Sequence, residues 1–151
     1  MSETNTNDTA TNLAFNSVGT TLSIGTGSSK KAIGQLTEIG EISSDMETID
    51  VTTLGSTGGY REYLGGFKTP GTVDVSGFLA KQGGDAGQLA LMSAYGSGTP
   101  EAFEVAFPDE STVTFNAIVK QKAFGPANIG SAVNFRAQLQ ITGAITYTPG
   151  T

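Results

Sequence analysis

VNFRAQLQITGAITYT, residues 133–148, alternates apolar and polar side chains without a break. Val133, Phe135, Ala137, Leu139, Ile141, Gly143, Ile145 and Tyr147 fall on one side, and Asn134, Arg136, Gln138, Gln140, Thr142, Ala144, Thr146 and Thr148 on the other. A period of two with one apolar face marks a half-buried β-strand, because successive side chains of an extended chain point to opposite faces. At about 3.3 Å per residue the run reaches roughly 50 Å, against about 17–20 Å for a usual strand. Such a strand outgrows the sheet of a small domain. Either it bends near Gly143 and serves two sheets, or part of it pairs with another chain.

Working back from it, residues 112–124 read as a second long strand with Val113, Phe115, Ala117 and Val119 inward. Residues 101–107 place Phe103, Val105 and Phe107 on one side before the turn Pro108-Asp109-Glu110-Ser111. TVDVSGFLA (72–80) sets Val73, Val75 and Leu79 against Thr72, Asp74 and Ser76, and ETIDVTTL (47–54) sets Ile49 and Val51 against Thr48, Asp50 and Thr52. These two strands share a polar face of small hydroxyls around one carboxylate. Residues 21–26 and 33–39 predict two short strands about a turn at 27–30. One helix is expected, over about 85–96. Asp85-Ala-Gly-Gln88 has the form of a capping box, with Gln88 reaching back to the N-cap, and Leu89, Met92 and Tyr95 beside Leu91 supply a core stripe. The predicted fold is mainly β: a two-sheet antiparallel β-sandwich or flattened barrel with one inserted α-helix. It forms a single domain over 20–151, behind a polar, flexible N-terminal arm over 1–19.

GSTGGYREYLGGFKTPG (55–71) is far longer than a hairpin loop of about 2–5 residues. It nevertheless carries Tyr60, Tyr63, Leu64 and Phe67. Long loops that hold apolar side chains in water mark contact surfaces, unless they fold back on their own domain.

The 151 residues include no Cys and no His. Disulfides, thiolate metal sites, a Cys nucleophile and a serine triad are excluded, and no catalytic or metal-binding constellation emerges among the acids. No cofactor is implied. The net charge of −6 does not suit a surface that grips nucleic-acid phosphates. Nothing reads as a signal peptide or a bilayer-spanning run, so no membrane insertion by this chain is expected.

In order and spacing, ETIDVTTL, STGGYREYLGGFKTPG, TVDVSGFLA, DAGQLALMSAY and VNFRAQLQITGAITYT resemble the major tail tube proteins of long-tailed, siphovirus-type bacteriophages. The resemblance spans roughly residues 20–148. It implies a non-enzymatic virion protein, made in the host bacterial cytoplasm and built into the tail. Six subunits form a ring whose inner sheets join into one barrel, and rings stack along a tape-measure protein between tail tip and tail terminator proteins. Viral DNA passes through the lumen without tight binding. On this reading Tyr60, Arg61, Tyr63, Leu64 and Phe67 make subunit or ring contacts. Asp50 and Asp74, on the polar faces of adjacent strands, line the lumen. The competing expectation is a carbohydrate-binding or adhesive β-sandwich module, with Tyr60, Tyr63 and Phe67 as stacking platforms for sugar rings.

Overall fold

The computed structural model describes residues 13–150. In chain order the elements are β1 (Thr21–Ile24), β2 (Lys31–Ile33), β3 (Leu36–Ile39), β4 (Ser44–Asp50), β5 (Tyr63–Pro70), β6 (Thr72–Phe78), helix α1 (Ala86–Ser97), β7 (Glu101–Ala106), β8 (Thr112–Phe124) and β9 (Asn134–Thr148). A seven-stranded antiparallel sheet runs β2-β1-β7-β8-β9-β6-β3, and β4 and β5 form a separate two-stranded sheet. The two edges of the large sheet, β2 and β3, are consecutive in the chain and separated only by Gly34 and Gln35. Three Cα steps span at most about 11 Å, so the sheet must curl until its edges nearly meet. The expected flattened barrel with one helix is what forms.

That curl corrects the expected strand over 33–39. It is two strands at opposite edges, broken at Gln35, whose φ is 63°. The Gln35 carbonyl accepts from Phe78 N at 2.8 Å, which ties the break to the end of β6. Left-handed backbone at a non-glycine residue leaves no mark on an apolar–polar pattern.

β9 bends at Gly143, where φ is 84°. The register with β8 slips there, from Asn116↔Thr142 to Thr114↔Thr146, so β9 carries extra residues at the bend. Both halves pair with β8, so the long strand serves one sheet and not two. The inward alternation holds. Val113 is partly buried, whereas Phe115, Ala117, Val119, Phe135, Ala137, Leu139 and Ile141 lie in one core with Leu22, Val73, Val75, Phe103 and Val105. Phe103 and Phe115 stack with centroids 5.7 Å apart. Each fully buried side chain of this size contributes about 1.5–3 kcal/mol, which is why the barrel interior dominates the fold.

Helix α1 starts as expected. The Asp85 carboxylate accepts from Gln88 N at 2.9 Å, and its Oδ2 also takes Gly34 N at 2.9 Å. The Gln88 side chain does not reach back. It turns inward, donating from Nε2 to the Gly34 and Phe78 carbonyls and accepting from Ala80 N, each at 3.0 Å. Nor is Leu89-Met92-Tyr95 the core stripe. The buried face is Gly87, Gln88, Leu91 and Ala94, while Leu89 and Tyr95 stand in solvent. Gly87 explains the rotation: a Cβ there would overlap the Ala32 carbonyl, so only this face can lie so close to β2.

Of the arm expected over 1–19, residues 1–12 lie outside the described residues. Residues 13–20 hold no strand, and Phe15 packs edge-on against Phe107 with centroids 6.2 Å apart.

Candidate functional site

The segment expected as a 55–71 loop is half strand. Tyr63–Pro70 forms β5 and pairs with β4, leaving residues 51–62 as the connection. Six glycines in 55–71, two of them inside β5, with few β-branched residues hide a strand from propensity reasoning. The hairpin stands away from the core: every residue of β4 and most of β5 is exposed.

Alternation sorts its two faces. Asp45, Glu47 and Ile49 share one side, with Leu64 directly opposite Ile49. Met46, Thr48 and Asp50 share the other, with Lys68, Gly65 and Tyr63 opposite them. The register shift between Met46 and Thr48 leaves Phe67 in the bulge, 85% exposed. Tyr60, in the connection, is 77% exposed, and Tyr63 and Leu64 are more than half exposed.

The connection is held by its own bonds. Val51 N donates to the Glu62 carbonyl at 2.9 Å, and Glu62 N donates to Thr52 Oγ1 at 2.8 Å. Asp50 takes Thr52 N on Oδ1 and Arg61 Nη1 on Oδ2, both at 2.9 Å. Hydrogen bonding from Thr52, with the Arg61 guanidinium a lesser cause, holds the Asp50 carboxyl below its ordinary value. Tyr60, Arg61, Tyr63, Leu64 and Phe67 are thus presented together on one projection.

Asp50 and Asp74 are not on adjacent strands. β4 pairs with β5 in the small sheet, whereas Asp74 is on β6 of the large one, opposite Gln138 of β9. A shared hydroxyl-and-carboxylate pattern cannot show that two strands belong to different sheets. The Asp74 carboxylate accepts from Gln138 Nε2 at 3.0 Å. Around it, Thr72, Ser76, Arg136 and Gln140 line the outward face of the barrel wall.

A further surface escapes sequence reasoning. The register of β8 on β9 slips between Val119 and Gln121, so Lys120 is an extra residue and the side chains beyond it change faces. Lys122 and Phe124 thereby turn toward the helix side, and Lys122 Nζ lies 5.0 Å from the centre of the Tyr95 ring. The sequence signal is Phe124, an apolar side chain out of step with the inward odd positions Val113 to Val119 of its strand.

Among the described residues, no group of acidic side chains is arranged to hold a metal ion, and no helix is long and apolar enough to cross a membrane.

The family model described as phage tail tube protein matches residues 14–147. No match was found among curated proteins. Among solved structures, the chain is similar to a subunit from the tail of an empty gene transfer agent particle, determined with C6 symmetry. The identity is 23% over 89% of this chain and 99% of that one, with a TM-score of 0.71. The SPP1 tail tube subunit is 16% identical over 86% of this chain and 76% of its own, at a TM-score of 0.62. A chain from the sheath/tube terminator of an extracellular contractile injection system is 8% identical over 91% and 99%, at 0.68. At these identities the likeness is one of fold. The family match covers nearly all of the barrel and its hairpin, and the chain belongs to the phage tail tube protein family, structural components of the virion tail.

Proposed function

We propose that the chain assembles with copies of itself into stacked hexameric rings, forming the tail tube through which viral DNA passes during ejection. The carrying observation is the β4–β5 hairpin. A two-stranded sheet alone in water is marginally stable, and this one holds Ile49, Leu64 and Phe67 in solvent. Its cost is offset when neighbouring subunits cover it. Family membership favours identical copies as those neighbours, and the C6 tail of a similar fold favours six per ring. The tube then has a tape-measure protein inside during assembly, with tip and terminator proteins at its ends. It works as a conduit, without catalysis.

The outward face of β6 and β9 suits a lumen wall. Asp74 with the short polar side chains Thr72 and Ser76 repels phosphate while keeping the bore wide, and Arg136 on the same face offsets part of that field. Asp50, paired with Arg61, adds little net field from the hairpin.

Electron microscopy of concentrated protein tests the reading. Hollow tubes or six-fold rings are expected, and a monomer at every concentration overturns it. Replacing Tyr60 and Tyr63 with Ser should leave the monomer folded and stop tube growth, since truncating an aromatic anchor commonly costs about 2 kcal/mol or more. A double variant that unfolds would show that these rings stabilise the monomer instead.

A further inference from the structure

Helix α1 carries no charged residue from Ala86 to Ser97. With one face already buried, its other side shows Leu89 and Tyr95 in solvent and Met92 partly covered. A surface helix normally turns a charged face to water, and one apolar all round is normally covered all round. Beside it runs a groove of about 300 Å³ lined by Leu79, Gln82, Asp85, Leu89, Met92 and Phe124, with the Asp85 carboxylate taken up by the Gly34 and Gln88 amides. Two lysines flank its rim. Lys122 bridges the Tyr95 and Phe124 rings, at 5.0 and 6.0 Å from their centres, and Lys81 stands exposed in the turn before the helix. Among the described residues the ion pairs are Lys30–Glu104 and Arg61–Asp50, so neither rim lysine is in one.

The complementary surface is on the same chain. One face of the β4–β5 hairpin has Ile49 and Leu64 at its connection end, with Glu47 and Asp45 following along β4. The Glu47 and Ile49 side chains both lean over Gly66, where a Cβ would meet them. Asp45 and Glu47 are likewise outside the ion pairs.

We propose that the exposed face of α1, with Phe124, is the seat for the β4–β5 hairpin of a second copy of this chain. The proposal rests on the tube-subunit reading and names the receiving half of that contact. Hairpin and seat are different surfaces, so each copy gives one and receives one, a heterologous contact that closes a ring or propagates a stack. The apolar patches meet, and Lys81 and Lys122 face Asp45 and Glu47, which sets orientation and makes growth sensitive to salt.

Cross-linking tests the pairing directly, because the chain has no cysteine of its own. Leu64→Cys and Leu89→Cys chains, one bearing a mass tag, are mixed, grown into tubes and oxidised. Mixed-mass dimers are expected; self-dimers alone, or tubes with no cross-link, overturn the seat. Charge reversal is the second measurement. Lys122→Glu should raise the concentration needed for tube growth about tenfold, and Glu47→Lys in the same chain should restore it. Folded Lys122→Glu protein that grows as wild type, or a double variant with no recovery, overturns the seat and leaves the tube reading standing. Wild-type protein that never makes tubes takes down both.

Discussion

Gln88 offers the sharpest test of how the helix is held on the barrel. Its side chain is 2% exposed and satisfies three backbone groups from two separate segments, the Gly34 carbonyl in one and the Phe78 carbonyl and Ala80 N in the other. Gln88→Leu keeps the volume and removes all three bonds. At about 0.5–1.5 kcal/mol net per bond, with the stranded groups only partly reachable by water, the loss should be about 3 kcal/mol. For a domain of this size that lowers Tm by about 10 °C. Circular dichroism melts below the assembly concentration measure it, with Leu89→Ala as a surface control expected within about 0.5 kcal/mol of wild type. Gln88→Glu sharpens the test. Its carboxylate still accepts from Ala80 N but points an oxygen at two carbonyls, so burial and lost donors raise its folded-state pKa. Protonation restores one donor. The variant should therefore approach wild type below the unfolded carboxyl value of about 4.3, and lose stability as pH rises through the raised value. Melting of Gln88→Leu within about 2 °C of wild type, or a pH-independent deficit in Gln88→Glu, would refute the reasoning.

Gly87→Ala should cost about 1–3 kcal/mol, because its Cβ meets the Ala32 backbone and not a movable side chain; a denaturant midpoint equal to wild type would contradict it. The depressed Asp50 carboxyl stabilises the hairpin connection above its unfolded value of about 3.9, and that contribution disappears as pH falls through the lower folded value. Amide exchange at Thr52 should accelerate, relative to core amides, as the pH drops, and Asp50→Asn should flatten the trend. Asp74→Lys should still assemble, yet slow DNA passage more at low salt than at high; ejection kinetics equal to wild type at both would remove Asp74 from the lumen.

What the sequence determined by itself was the direction of side chains along each strand. The alternation in residues 113–119 and 135–141 named the inward residues, since pleating is local and every second side chain must share a face. Asp85 as the N-cap was readable for the same reason, because the bond to Gln88 N closes within one turn. Tertiary structure alone decided what each face meets. Leu89, Met92 and Tyr95 have helical spacing, yet the close approach allowed by Gly87 turns Leu91 and Ala94 inward instead. Ile49 and Val51 alternate like core residues but sit on a hairpin and its connection, which the barrel does not cover. Asp50 and Asp74 have matching neighbours and belong to different sheets. The break at Gln35 separates two strands that end at opposite edges of the same wall. Periodicity records that a segment has two unlike faces. Which surface covers the apolar one depends on contacts far apart in the chain, and for a tube subunit on other chains, and those are distances the local pattern does not carry.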